Sequence, residues 1–199
     1  MKKITSLLVC IAVAVFCARE SFAGVFDLTH FVLPGSFAVG LEPEVDFTNP
    51  AGASGNLKAT YGLSDLSNVT AIVGDGSGDL GLRVGANMTF DFFPDTENQP
   101  GIGIAAQAIY YRISTTAELE TTAIPYIHKS FQLSGSNEVE PFLAVPLGMA
   151  FSQGRYQSVV TVAAGTFLKS IDHFRWIAEV GVGLNNVSSY VSGGLVYYP

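Results

Sequence analysis

Residues Leu80–Phe92 read LGLRVGANMTFDF, and their alternation sets the architecture expected of the whole chain. The even positions, Leu80, Leu82, Val84, Ala86, Met88, Phe90 and Phe92, are apolar. The odd positions, Gly81, Arg83, Gly85, Asn87, Thr89 and Asp91, carry charge, amide, hydroxyl or no side chain. Successive side chains of an extended strand point to opposite faces, so one face of this stretch is greasy and the other polar. At about 3.3 Å per residue the run is about 43 Å long. A tilted strand needs only about 9–11 residues to cross the hydrocarbon of a bilayer. The stretch reads as a long two-faced membrane strand, closed off by the proline-bracketed segment Pro94–Pro100 (PDTENQP).

The same pattern recurs on both sides. Upstream, Phe37, Val39, Leu41, Pro43, Val45 and Phe47 interleave with Ala38, Gly40, Glu42, Glu44 and Asp46. Leu57, Ala59, Tyr61 and Leu63 alternate with Lys58, Thr60 and Gly62, and Val69, Ala71 and Val73 follow the turn at 64–68. Downstream, Ile102–Tyr110, Glu118–His128, Val139–Phe151, Tyr156–Leu168, Phe174–Leu184 and Val191–Tyr197 repeat it, punctuated by turn residues at 114–116, 134–137, 153–154 and 185–189. NPAGASG at 49–55 and GDGSGD at 74–79 read as turns. Pro125, Pro141 and Pro146 predict local bulges, because proline has no N–H for the ladder. The result is an all-β, antiparallel up-and-down transmembrane β-barrel of about ten strands, even-numbered as single-chain bacterial barrels are. Eight strands is the alternative, should the segments 56–63 and 68–74 not both span.

Composition agrees. Apolar residues make up 48% of the sequence and charged residues only 14%, below the roughly 25% usual in soluble domains. Beyond residue 23, no stretch approaches the 18 or so consecutive apolar residues of a membrane helix, so the hydrophobicity is dispersed as strands disperse it. Residues 1–23 have the parts of a secretory signal: Lys2 and Lys3, the apolar run Leu7–Phe16, and small residues in Ser21-Phe22-Ala23. Arg19 and Glu20 make the apolar run too short for a retained helix. Both cysteines, Cys10 and Cys17, lie inside this segment, so the remainder is expected to have no disulfide and no thiolate metal site. Phe16 argues against a lipid anchor on Cys17. The expected organisation is therefore a signal peptide at 1–23, a periplasmic lead-in at 24–34 and a barrel at 35–199. The formal net charge of −7 argues against a nucleic-acid partner, which needs a basic patch.

An even barrel starting from the periplasm returns there, which puts the turns 64–68, 93–100, 133–138 and 169–173 on the periplasmic side. The outer loops, 48–55, 74–79, 113–117, 152–155 and 185–189, are short. Aromatic residues cluster toward strand ends, as rings at headgroup depth do. The inner level takes Phe37, Tyr61, Phe92, Phe131, Phe167, Phe174, Trp176 and Tyr197, and the outer level Phe47, Tyr110, Tyr111, Phe151, Tyr156 and Tyr190. Over residues 35–199 the alternation, the turn spacing and the ending Gly193-Gly194-Leu195-Val196-Tyr197-Tyr198 resemble small bacterial outer-membrane β-barrel proteins of the OmpA-like transmembrane class. The ending departs from that class in placing Pro199, not an aromatic residue, last. The resemblance implies a Gram-negative outer-membrane location, contact with outer-membrane lipid, and recognition of the last strand by the barrel-assembly machinery.

Inward-facing positions then collect Glu42, Glu44, Asp46, Asp91, Glu118, Glu120, Glu140 and Glu179 against Lys58, Arg83 and Arg175. Such charges cannot lie unpaired in a dry interior without a cost of several kcal/mol each. The favoured expectation is a plug of paired side chains, with Glu42 and Glu44 facing Lys58, and Arg83 and Glu179 across the lumen. That implies a structural or interaction role. A narrow cation-favouring water path is the alternative, because rings of carboxylate concentrate cations. A lipid-modifying or proteolytic enzyme comes third. His30, His128 and His173 all fall toward the periplasmic side, with no serine or carboxylate at a recognised motif spacing, so structural histidine is the expectation and no catalytic residue is assigned. No cofactor or metal is expected either. Asp75 and Asp79 lack the glutamate an EF-hand loop requires, since Ala86 stands in its place. Residues 94–103 read as a rigid turn that sets register, with a docking loop as the alternative.

Overall fold

A computed structural model describes residues 32–48, 51–77, 81–113, 116–133, 137–171, 173–185 and 187–199. The expected signal segment, most of the lead-in with His30, and Asp79 and Leu80 lie outside these ranges. Alternating sequence becomes alternating burial throughout. Strand β1 (Phe37–Asp46) is exposed and buried at strictly successive residues. It is followed by β2 (Gly52–Ser64), β3 (Ser67–Gly76), β4 (Arg83–Phe93), β5 (Gly101–Ile113), β6 (Thr116–His128), β7 (Phe131–Gln132), β8 (Glu138–Ala144), β9 (Leu147–Ser152), β10 (Arg155–Ile171), β11 (Phe174–Gly183) and β12 (Tyr190–Tyr197). β8 and β9 are successive halves of one position in the wall, both lying between β6 and β10. β12 pairs with β11 on one side and β1 on the other, so the sheet closes into an antiparallel barrel of ten strands.

The eight-strand alternative fails because β2 and β3 both run the height of the wall. β2 starts at Gly52, inside the segment expected to be a turn, and its small residues ladder with β1 through Val45↔Ala53 and Glu44↔Ser54. Glycine, alanine and serine show no hydropathy alternation, yet their backbone donors and acceptors pair like any others. For the same reason β3 continues through Gly76 into the GDGSGD segment. The proline expectation is corrected in part. Pro125 and Pro141 keep unbroken register with Ile104 and Thr166. Only at Val145–Pro146 does the wall break, between β8 and β9. There Val145 N donates to Pro125 O at 3.0 Å and Thr161 N to Pro146 O at 3.0 Å, so the proline carbonyls accept even though proline cannot donate. Gln153 and Gly154 both have positive φ, 48° and 75°, as a tight type I′ hairpin turn between β9 and β10 requires.

The outer wall is apolar and open. Leu41, Leu57, Val84, Met88, Leu119, Leu147, Trp176, Val180 and Val191 are all exposed. The inner wall is divided. Toward β1–β4 it is polar, with Glu42, Glu44, Asp46, Lys58, Thr60, Thr70, Arg83, Asn87, Thr89 and Asp91 buried. Toward β6–β12 it is largely apolar, where Ile124, Phe142, Ala144, Val159, Ala163, Phe167, Ile177 and Tyr190 form one cluster. This corrects part of the aromatic expectation. Tyr111, Phe167 and Tyr190 are buried, at 2%, 0% and 0% exposure, and fill the interior instead of girdling the outside. At positions 111 and 167 the bulky ring takes the inward phase of its strand, and a ring's size alone does not reveal which face it occupies.

The end of the barrel carrying the 65–66 and 94–100 connections and residues 129–133 is termed the base, and the opposite end the rim. The lead-in turns into the base. Val32 is buried against Ala38 and Val196, and its N–H donates to Asn68 Oδ1 at 3.2 Å. Gly35 N donates to Gly62 O at 3.0 Å, and Gly62 N to Ser36 O at 3.1 Å.

Candidate functional site

The polar interior is organised as two ion-pair clusters at different heights, joined along β4. In the rim half, inward phase on β1 and β2 aims Glu42, Glu44, Asp46 and Lys58 at the same space. Lys58 Nζ lies 2.5 Å from Glu42 Oε2, and Ser192 Oγ donates to Glu42 Oε1 at 2.9 Å. Arg83 enters from β4, with β2 and β3 between it and β1, and crosses the lumen. Its Nη1 lies 2.6 Å from Glu44 Oε1, and its Nη2 lies 3.7 Å from Asp46 Oδ2. The guanidinium also sits over the Tyr111 ring, 5.7 Å from its centroid. Glu44 therefore pairs with Arg83 and not with Lys58. Glu179 is not Arg83's partner either; it accepts a hydrogen bond from the Tyr190 hydroxyl. Glu118 stands directly opposite Tyr111 in register, and Glu120 lies one inward step further toward the base.

In the base half, His128 at the end of β6 lies between two carboxylates. Its Nε2 is 3.0 Å from Asp91 Oδ2 on β4, and its Nδ1 is 2.8 Å from Glu140 Oε1 on β8. Tyr126 donates to the other Asp91 oxygen at 2.7 Å. Arg175 from β11 approaches Glu140 at 3.9 Å and Glu138 at 3.8 Å, and its guanidinium lies 5.5 Å from the Tyr198 ring centroid. β5 stands between β4 and β6, and its sequence lets these contacts form. A Cβ at Gly101 would strike the His128 ring, and one at Gly103 would strike the Tyr126 hydroxyl and Asp91. The alternation in Gly101-Ile-Gly-Ile104 is thus apolar outward and empty inward, so side chains from both neighbours meet over β5.

Every lumen charge expected from the sequence is on the inner wall: Glu42, Glu44, Asp46, Lys58, Arg83, Asp91, Glu120, Glu140, Arg175 and Glu179 are buried and Glu118 is half-buried. The rings expected at the membrane interface, Phe92, Tyr110, Phe151, Tyr156, Trp176 and Tyr197, all face outward and are exposed. Sequence spacing missed the surroundings of His128. Its two carboxylate partners are 37 and 12 residues away, and only the barrel brings them together. The glycine pair at 101 and 103 was the available clue. His173 lies at the base turn with φ 70°, its Nδ1 2.8 Å from Tyr198 O.

Of the two loop candidates, Asp75 Oδ1 accepts from Gly76 N at 3.0 Å, and Asp79 is outside the described residues. The 94–100 segment is a rigid turn: Thr96 and Gln99 exchange backbone hydrogen bonds at 3.1 and 3.2 Å. Lys129 Nζ bridges it to β6 through Asp95 Oδ1 at 2.7 Å and the carbonyls of Thr96 and Gln99. Burial acts to raise the Asp95 carboxyl, but hydrogen bonds from Lys129 and Ser130 outweigh it and hold the group below the usual carboxylate range. Among the described residues, no cluster of histidine, cysteine and carboxylate has the arrangement of a metal site.

No family model and no curated protein matches the chain. Among solved structures, an outer-membrane channel from Pseudomonas putida F1 superposes with a TM-score of 0.52 at 10% identity, covering 89% of this chain and 100% of that one. The β-domain of the Bordetella autotransporter BrkA gives 0.46 at 13% identity, over 82% of this chain and 98% of that one. A de novo designed transmembrane β-barrel gives 0.43 at 14%, over 85% and 100% respectively. At such identities the likeness is one of fold, and the fold is that of an outer-membrane β-barrel.

Proposed function

We propose that this protein is an integral barrel of a Gram-negative outer membrane, reached after removal of residues 1–23, whose lumen is closed to solutes by paired side chains. Its role is structural or interaction-based, and it is not an open porin. The observation that carries the reading is the Arg83–Glu44 pair at 2.6 Å, formed across the lumen between β4 and β1 with side-chain exposures of 3% and 0%. A buried pair of this kind holds its place because either partner alone would be an uncompensated charge. The outward apolar wall and the exposed rings of Trp176, Tyr110 and Tyr156 support burial in lipid. β12, hydrogen-bonded to both of its neighbours, is the strand the assembly machinery would read.

Planar-bilayer recording tests the closed lumen. The wild-type chain is expected to show no steady conductance steps, and Arg83→Ala is expected to introduce them. Steady cation-selective steps from the wild type would overturn the plug in favour of a narrow cation path. The surplus of carboxylates among Glu118, Glu120 and Glu179 supports that second reading. Altered lipid A after overexpression would favour a lipid-directed enzyme instead.

A further inference from the structure

Between the two ion-pair clusters, the β4–β6 side of the lumen holds buried polar side-chain atoms without a hydrogen-bond partner among the described residues. Gln107 Nε2 and Oε1, Asn87 Oδ1, Thr89 Oγ1, Thr122 Oγ1 and Glu120 Oε2 make no hydrogen bond among the described residues. All five residues are buried, at 2–6% exposure. They are not scattered. Asn87 is directly opposite Gln107, and Gln107 is directly opposite Thr122. Glu120 and Thr122 are successive inward positions on β6, as are Asn87, Thr89 and Asp91 on β4. Opposite residues have Cβ atoms about 4.5–5.5 Å apart, and successive inward residues are about 6.6 Å apart along a strand. A water bridging two polar atoms spans about 5.6 Å. Spacings of this order are ones that a bridging water can join, and buried polar groups of this kind are the ones ordered water satisfies.

The series ends at each mouth on titratable groups. At the rim it reaches Glu120 and half-buried Glu118. At the base it reaches Asp91, and from there His128, whose two ring nitrogens face different carboxylates. Beyond Glu140 lie Arg175 and the half-buried Glu138. We propose that this barrel passes protons between its two mouths along the β4–β6 face and through His128, while excluding larger solutes.

The relay step balances on the ring. A proton passed from the Asp91 carboxyl to Nε2 forms the imidazolium. Release of the Nδ1 proton to Glu140 returns a neutral ring that keeps its proton on Nε2, and the starting tautomer returns when Nε2 gives that proton to a water molecule and the same water protonates Nδ1. The groups facing His128 are Asp91 from β4, Glu140 from β8, and Tyr126 on its own strand, which binds Asp91; Arg175 from β11 stands behind Glu140. Arg175 Nη1, 3.9 Å from Glu140 Oε2, faces the carboxylate oxygen that His128 does not touch. The Arg83–Glu44 pair fills the rim half of the lumen, which separates proton transfer along hydrogen bonds from passage of whole ions.

The test uses the purified chain in phosphatidylcholine vesicles loaded with pyranine, with valinomycin clamping the potential, and potassium efflux measured separately without valinomycin. The wild type is expected to acidify the vesicles faster than barrel-free controls while retaining potassium. His128→Gln is expected to slow acidification about a hundred-fold, the lower end of what a positioned proton carrier contributes. The double variant Asn87→Leu/Gln107→Leu is expected to slow it as well, and it keeps the test decisive should His128→Gln not fold. Circular dichroism checks folding. A merely structural role for His128 would loosen the base and release potassium on substitution; potassium retention with lost proton flux separates the two. The proposal is overturned if wild-type flux equals the control, if folded variants conduct protons like the wild type, or if potassium leaves as fast as protons. Absent proton flux over a silent bilayer would remove this path and leave the closed plug standing.

Discussion

Replacing Arg83 with alanine removes the one guanidinium that reaches from β4 to both Glu44 and Asp46. The two carboxylates left behind are 1% and 2% exposed, so water cannot simply replace the lost partner. Breaking a buried pair from one side costs about 3–5 kcal/mol, against about 0–1 kcal/mol for a solvated pair. With a urea slope of about 2 kcal/mol per M, the midpoint should fall by roughly 1.5–2.5 M. The assay is urea unfolding of the chain in vesicles, followed by the fluorescence of Trp176, the single tryptophan. Glu44→Gln in the Arg83→Ala background should recover part of the loss, because it removes one of the stranded charges, and the double-mutant cycle reads the coupling directly. A midpoint shift below about 0.5 M, with no coupling to Glu44, would mean that the lumen is wet at this level. It would refute the reasoning behind the plug.

Three further outcomes follow from the same geometry. Gly103→Ala places a methyl group against the Tyr126 hydroxyl and Asp91; it should destabilise by about 1–3 kcal/mol, whereas Gly55→Ala on β2, with open space around its Cβ, should not, as urea midpoints would show. Val180→Arg, on the outward face of β11, should cost about 2–4 kcal/mol in vesicles if that face meets the middle of the hydrocarbon, and much less if it lies near an interface. The carboxyl of Asp95 is lower in the folded state than in an unfolded chain. The contribution of its contact with Lys129 is therefore complete above the ordinary carboxylate range and is lost as pH falls through the lowered value. Amide hydrogen exchange at Ser130, which donates to Asp95 at 2.7 Å, should speed up at that acid limit relative to the intrinsic rate, and Asp95→Asn should abolish the pH dependence.

The sequence by itself determined the strand periodicity, the inward and outward phase of nearly every residue, and the even number of strands. It could do so because a period of two is a local property: one face must meet an apolar medium, and each residue's phase follows from its neighbours. The inward list of charges was legible for the same reason. Which charge meets which was legible for Lys58 and Glu42 on adjoining strands and not for the rest. Glu44 reaches Arg83 and not Lys58, and His128 reaches Asp91 and Glu140, because closure of the sheet and the stagger between strands set their heights. The Arg83–Glu44 and His128–Asp91 contacts join strands that do not share a ladder, and His128–Glu140 lies where the β6–β8 ladder ends, so no local pattern records them. Tyr111, Phe167 and Tyr190 went astray for a related reason: an aromatic ring suits a headgroup girdle and a packed lumen equally well, and only the registered wall decides. Proline's effect was likewise settled in three dimensions, since a carbonyl can keep a strand paired where its missing N–H predicts a break.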